Sequence, residues 1–253
     1  MRIGIIQHNV VRPRERGLRR VVQLANCLDG PDLVLLPELF ASGYGFSDIK
    51  AEAKAGESEV IPLLSDMAKG LSAWIGGTLI LEKDGKYYNT FVILDRQGNL
   101  VHTQAKTHLF RPLNEHEIFS PGGEIRAFDT EFGTAGALIC YELRFPELAR
   151  KLAKEGARII LVSAEWPLAR ASAWQTLCRA RAMENQVLLV ACNRWGGDKV
   201  FFGGRSGIYD PYGEPVVEMC DGEGVVWADV DLSQIDEARA KLPVWEDRRE
   251  ELY

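Results

Sequence analysis

Residues 134–146 read Thr134-Ala135-Gly136-Ala137-Leu138-Ile139-Cys140-Tyr141-Glu142-Leu143-Arg144-Phe145-Pro146. The largely apolar run over 134–139 makes a strand that stops at a thiol. Pro146 opens a helix over 146–155, which Gly156 ends. Strand, reactive group and returning helix form the unit from which layered α/β folds are built. The unit recurs downstream, with strands over 158–163 and 187–192 and a helix over 171–184. Upstream, a strand over 3–8 precedes a helix that Pro13 opens and that continues through Ala25 until Gly30 and Pro31 end it. Residues 33–36 are apolar at every position, which suits a strand covered on both faces. Helical spacing marks 59–73, and strands over 74–81 and 87–94 flank the hairpin signal Lys83-Asp84-Gly85. Further strands cover 100–104, 206–209, 216–219 and 225–230, and 231–240 is helical. The tail 241–253 carries an exposed-looking Trp245 and is expected to pack on the domain or on a partner subunit. No Pro/Gly/Ser-rich linker and no repeat divides the chain, so the reading is one α/β domain over 1–253 in which helices cover sheet.

Composition narrows the function. The chain has 253 residues, 46% hydrophobic and 26% charged, which are ordinary globular proportions. A chain this long buries about 70–75% of its unfolded surface and needs no metal or disulfide staple. Lys and Arg number 30 against 36 Asp and Glu, a net charge of −6, so no global field draws in nucleic acid or an anionic lipid surface. Six arginines fall in the first twenty residues (Arg2, Arg12, Arg14, Arg16, Arg19, Arg20) and read as a solvated helix face. No apolar run approaches the ~18 residues of a membrane span, and Met1-Arg2-Ile3-Gly4-Ile5-Ile6-Gln7 reads as a first strand rather than a signal peptide. The five cysteines (27, 140, 178, 192 and 220) form no C-x-x-C pair, which sets the expectation of a reducing, cytoplasmic setting without a disulfide framework or zinc cluster.

Ligands in open α/β sheets collect at the carboxyl ends of strands. Three such ends carry an ionisable group: Leu36-Pro37-Glu38, Ala105-Lys106-Thr107-His108, and Cys140 itself. Each alone is more often a solvated strand end or a buried structural thiol. Together they compose a base, a cation and a nucleophile. A thiol must lose its proton to attack a carbonyl or nitrile carbon, and a nearby glutamate can take it. An ammonium beside them favours the thiolate and stabilises the oxyanion that develops.

These segments resemble the motifs of the nitrilase superfamily, the carbon–nitrogen hydrolases, in order and in spacing. The resemblance runs through Lys106-Thr107-His108-Leu109-Phe110-Arg111, Ala164-Glu165-Trp166-Pro167, Arg179-Ala180-Arg181-Ala182-Met183-Glu184-Asn185-Gln186, Ala191-Cys192-Asn193-Arg194, Asp210-Pro211-Tyr212-Gly213-Glu214 and the Pro243-Val244-Trp245 tail. Within the superfamily it is similar to the omega-amidase branch, which hydrolyses 2-oxoglutaramate and related ω-amides. The resemblance implies a four-layer α-β-β-α sandwich, a Cys140 nucleophile, Glu38 as base, Lys106 and the Tyr141 N–H on the oxyanion, and no metal or cofactor. It also implies a homodimer built through helices beside the site, and a second glutamate after the lysine. Glu115 matches that position, with Glu117 the competitor. Nitrilase or N-carbamoyl amide hydrolase chemistry would use the same groups, and a rival of another class is a non-catalytic binding or scaffold protein.

The remaining candidates have bland alternatives. Cys27, Cys178, Cys192 and Cys220 read as small packing residues in helices or strands, and Glu142 as structural, pairing with an arginine. His108 and His116 flank the candidate glutamates without the helical spacing of a metal pair. Arg144 holds a substrate carboxylate or pairs with Glu142 or Glu147. Phe40, Tyr44, Trp166 and Pro167 are pocket walls or core. Glu165 departs from the omega-amidase pattern, where an amide side chain is more familiar, and a carboxylate there would disfavour an anionic substrate.

Overall fold

The structure is a computed structural model that describes residues 1–197 and 200–252. Strand β1 (Arg2–Gln7) sends Ile3 and Ile5 into one apolar core and Ile6 into another, because successive side chains leave a strand on opposite faces. That division sets the layers. The chain continues through α1 (Arg14–Ala25), β2 (Leu33–Leu35), α2 (Ile49–Ala55), α3 (Ile61–Leu71), β3 (Trp74–Lys83), β4 (Lys86–Leu94) and β5 (Leu100–Ala105). It then passes a short helix α4 (Glu115–Ile118), β6 (Phe128–Thr130), β7 (Gly133–Ile139), α5 (Pro146–Lys154), β8 (Ile159–Ala164), α6 (Ala171–Asn185) and β9 (Leu188–Asn193). β10 (Trp195–Gly196), β11 (Phe202–Gly203), β12 (Gly207–Tyr209), β13 (Pro215–Glu218), β14 (Gly224–Asp229) and α7 (Ser233–Lys241) follow.

Two six-stranded sheets result, ordered β14-β1-β2-β3-β4-β5 and β13-β12-β9-β8-β7-β6. Each has three parallel central strands, β1-β2-β3 and β7-β8-β9, with antiparallel strands outside them. The sheets face one another across a core that joins Ile3, Ile5, Leu33 and Leu35 to Ala135, Ala137, Ile159 and Leu161. Polar stitches cross the same interface: Ser163 Oγ donates to the Leu36 carbonyl at 2.8 Å, and Gln104 Nε2 to the Ala137 carbonyl at 3.0 Å. On the outer face of the first sheet, Leu18, Val21, Leu64 and Met67 of α1 and α3 cover Ile6, Val34 and Val92. Leu152 of α5 lies on Gly136 of the second sheet, and Trp174, Cys178 and Ala182 of α6 join the core on that side. This is the expected α-β-β-α sandwich. Among the described residues no helix is long and apolar enough to cross a membrane.

Three differences from the sequence reading have physical causes. The helical stretch begins at Ile49, ten residues before the pattern indicated, and runs as α2, a π-helical turn over Gly56–Val60, and α3. Its polar look misleads because Glu52 is buried between two arginines, 2.6 Å from Arg12 and 3.2 Å from Arg14. Arg16 and Arg19 are solvated as read, whereas Arg12 and Arg14 pair with Glu52 and Arg20 with Glu223 at 2.5 Å. β6, β10 and β11 have two or three residues each and offer no period to read. Trp245 is half-buried rather than exposed, flanked by the guanidiniums of Arg150, Arg239 and Arg248 at 5.0, 5.4 and 5.1 Å, so the tail lies back on the domain.

The chain after β5 is held by one close approach. Gly122 N–H donates to the Lys106 carbonyl at 2.8 Å, and a Cβ at Gly122 would sit 2.3 Å from the Ala105 carbonyl oxygen. Gly122→Ala is expected to cost about 1–3 kcal/mol as the backbones separate, lowering the melting temperature by roughly 2–4 °C per kcal/mol. Gly123→Ala, with nothing within 4 Å of its added methyl, is the control and should stay within about 0.5 kcal/mol of wild type in thermal unfolding. Equal melting temperatures for the two variants would contradict the assignment.

Candidate active site

Three strand ends converge. Beyond β2, the chain turns at Pro37 and Leu39 adopts a left-handed φ of 42°, with its N–H on Thr78 Oγ1 at 2.7 Å. This turn holds the Glu38 side chain beside the end of β5, where the Lys106 N–H binds the Asn89 carbonyl at 2.8 Å. From the second sheet, β7 ends at Ile139, and Cys140 sits at a left-handed φ of 47°, costly for a residue with a Cβ. A 3₁₀ turn over Cys140–Arg144 follows before α5 begins.

Glu142 fastens these pieces. Its Oε1 accepts from the Thr107 N–H and hydroxyl, both at 2.6 Å, and its Oε2 from the Ile139 N–H at 2.7 Å. The carboxylate thus ties the residue after the lysine to the residue before the cysteine. This corrects the expected arginine pairing: its partners are backbone and hydroxyl donors. Burial raises its carboxyl above the ordinary range, against the pull of the Thr107 and Ile139 donors.

The Lys106 ammonium, 1% exposed, lies 2.7 Å from Glu38 Oε1 and 2.9 and 2.8 Å from the two oxygens of Glu115. Tyr44 Oη is 2.8 Å from both Glu38 Oε1 and Glu115 Oε1. Asn89 Nδ2 reaches the same two oxygens at 2.8 and 3.2 Å. Glu38 Oε2 accepts the Glu165 N–H at 2.9 Å, and Glu115 Oε2 the Phe110 N–H at 2.6 Å. Glu115, fully buried, is therefore the second glutamate in the cluster; Glu117 is exposed.

Cys140 is 8% exposed, and the Glu38 carboxylate and the Lys106 ammonium both act on its thiol. Burial works to raise the Glu38 carboxyl, but Lys106, the Glu165 N–H and Tyr44 outweigh it and hold it below the ordinary range. For Lys106 burial is outweighed by Glu38 and Glu115, so the ammonium is held above its ordinary range. Burial and the adjacent Glu38 carboxylate push the Cys140 thiol well up, and Lys106 only partly opposes them. Lys106 favours the thiolate, as expected, but burial and Glu38 outweigh it. One ammonium shared by two carboxylates leaves a net negative cluster, so the thiol keeps its proton until a base removes it.

A cavity of about 260 Å³ opens on Cys140, lined by Phe110, Tyr141, Arg144, Glu165, Trp166, Pro167 and Arg170. Arg144 lies 4.8 Å above the Trp166 ring and is exposed; among the described residues it pairs with no carboxylate, so neither Glu142 nor Glu147 claims it. Arg170, unmarked in the sequence reading, stacks 5.5 Å over Phe110 on the same wall. Trp166 is fixed by its N–H on Asn193 Oδ1 at 2.6 Å. Phe40 is not a wall: it is buried in the core beneath α1 and α3, against Gly77. Tyr44 meets the carboxylates through its hydroxyl. His108 stacks on Phe145 at 4.1 Å, and His116 is exposed. Cys178 and Cys192 are buried packing residues as read, whereas Cys27 and Cys220 are exposed and lie outside the helices and strands.

Two positions lacked a sequence signal strong enough to find them. Asn89 is the only amide in the otherwise apolar-aromatic stretch of β4, and that isolation was its one clue. Arg194 closes the Ala191-Cys192-Asn193-Arg194 segment after β9, which gave it no role of its own; its Nη1 is 3.0 Å from Glu165 Oε1.

The model of the Carbon-nitrogen hydrolase family matches residues 2–240. The chain is 37% identical over 224 residues to a 2-oxoglutaramate amidase of Bacillus subtilis, covering 88% of this chain and 86% of that protein. It is 31% identical over 265 residues to an omega-amidase of Danio rerio, covering 100% and 96%. A solved structure of a variant amidase from Nesterenkonia sp. AN1, with the acetamide moiety of fluoroacetamide added covalently at the active-site cysteine, superposes with a TM-score of 0.87 at 27% identity over 100% of this chain and 95% of its own. With its motifs in register and a family match across nearly its whole length, this chain belongs to the carbon–nitrogen hydrolase family.

Proposed function

We propose that the protein hydrolyses a small linear amide bearing a carboxylate at its far end, giving the acid and ammonia, with Cys140 as nucleophile. The observation that carries this reading is the buried cluster in which Lys106 binds the Glu38 and Glu115 carboxylates beside the buried Cys140 thiol. The names of the curated relatives, 2-oxoglutaramate amidase and omega-amidase, and the amide adduct in the Nesterenkonia structure support it.

Glu38 removes the thiol proton as Sγ bonds to the amide carbon, whose oxygen gathers charge against Lys106 Nζ and the Tyr141 N–H. Glu38 then passes the proton to the nitrogen, the C–N bond breaks, ammonia departs and a thioester remains. Water, deprotonated by Glu38, adds to the thioester, and the collapsing intermediate returns a proton to sulfur and releases the acid. Glu115 orients the ammonium throughout. Arg144, free of carboxylate partners and braced on Trp166 at the wall of the cavity, receives the substrate's carboxylate. A reducing, cytoplasmic setting belongs to this reading because the thiol must stay free. So does a homodimer formed through helices beside the site, which sedimentation tests.

Cys140→Ala is expected to abolish ammonia release while the protein still folds, since a methyl cannot form the thioester. Cys178→Ala and Cys192→Ala should keep the chemistry and lose only stability. An active Cys140→Ala variant would refute the nucleophile.

Glu38→Gln and Lys106→Met should each lower single-turnover acylation at least ~10²-fold. If Lys106→Met acylates at the normal rate, the lysine is structural and the oxyanion rests on backbone donors.

Across a panel of amides of equal length, anionic ω-amides such as succinamate should exceed neutral ones by about tenfold or more in kcat/KM, because a charge-assisted bond contributes roughly 1.5–3 kcal/mol. Arg144→Lys should weaken the preference without erasing it. Equal kcat/KM for charged and neutral amides in the wild type would remove Arg144 from substrate binding.

A further inference from the structure

Four glutamates are buried around the site, and they are not equally satisfied. Both oxygens of Glu38, of Glu115 and of Glu142 accept from at least one donor. Glu165, 2% exposed, accepts at Oε1 alone, from Arg194 Nη1 at 3.0 Å. Its Oε2 is buried with no partner among the described residues, on a side chain that lines the cavity above Cys140. Arg194 is not dedicated to it: Nε and Nη2 bind Asn9 Oδ1 at 3.3 and 2.9 Å, and the guanidinium lies 4.8 Å over Phe202. An ionised carboxylate can only accept, and a bare buried oxygen on it is costly. A protonated one turns that oxygen into a donor facing whatever fills the cavity.

We infer that Glu165 is a neutral acid in the working enzyme and donates a hydrogen bond from Oε2 to an oxygen of the bound anionic amide. This rests on the amidase reading and assigns a specificity residue to it. The sequence reading set Glu165 against an anionic substrate; as a neutral donor it attracts one.

The charged and titratable groups around Glu165 agree. Burial is the main force, pushing its carboxyl up to about 8; Arg194 opposes, Glu38 reinforces and Lys106 opposes. Tyr44 is coupled to it and stays protonated, pushed well above the ordinary phenol range by burial and by Glu115 and Glu38. Cys140, protonated, and the Arg144 and Arg170 guanidiniums line the same cavity. Because the folded carboxyl is raised, the donor is present below about pH 8 and lost as pH climbs through it.

The test is calorimetric binding of succinamate to Cys140→Ala, to Cys140→Ala/Glu165→Gln and to Cys140→Ala/Glu165→Met, with thermal unfolding confirming that each is folded. In Cys140→Ala the affinity should fall as pH rises through about 8. Glu165→Gln, which keeps an N–H donor and cannot ionise, should bind well and lose that alkaline fall. Glu165→Met should bind about tenfold or more weakly at neutral pH. The inference fails if Met binds as well as Gln, or if the alkaline fall survives in Gln. It fails together with the amidase reading if Cys140→Ala binds no amide and the wild type releases no ammonia, so the two failures are distinguishable.

Discussion

One ammonium group holds the centre of this molecule. Lys106 Nζ is buried between Glu38 and Glu115, within 2.9 Å of three carboxylate oxygens. Removing three charges from water is expensive, and such clusters persist only when each oxygen finds further donors. Here Tyr44, Asn89, the Phe110 N–H and the Glu165 N–H supply them. Deleting one member would leave a buried charge unpaired, at a cost of about 3–5 kcal/mol. The loops after β2 and β5 and the short helix α4 are therefore bound to a common point.

The thiol comes from the other sheet, and its placement depends on how the two sheets face one another. Alternation along β1 and β2 gives the first sheet an inner apolar face, which pairs with that of the second sheet through one continuous core. Ser163 on the Leu36 carbonyl and Gln104 on the Ala137 carbonyl fix the register next to the site. Glu142 then joins Thr107 to Ile139 directly. A thiol on one sheet thus meets a carboxylate and an ammonium on the other, each just past the end of a strand.

The parts of this arrangement that could be read from sequence are those in which residue type and position coincide. Glu38, Lys106 and Cys140 each follow an apolar run, where a strand must stop, so their chemistry showed. Strands that read as continuous apolar runs, such as β3, β4 and β8, were legible for the same reason. Glu115 needed the family resemblance, because it lies in the short helix α4 with Glu117 two residues away and only burial separates them. The partners of Glu142 were invisible because backbone N–H groups leave no mark in a sequence. Helix α2 was hidden because Glu52 is buried on paired arginines, where an apolar residue would have continued the pattern. Arg194 and Arg170 carry no role of their own in the sequence, and only the packing of Glu165 and Phe110 against them reveals their place.

On the proposed mechanism Cys140 rests as a thiol, because Lys106 is shared by two carboxylates, and is activated by proton transfer to Glu38. The most direct measurement is the thiolate absorbance of the wild type minus that of Cys140→Ala as pH is raised. No thiolate signal from Cys140 is expected at neutral pH, with ionisation beginning only above the ordinary thiol value of 9.0. A full thiolate signal at neutral pH would contradict it and would make Cys140 and Lys106 a resting ion pair.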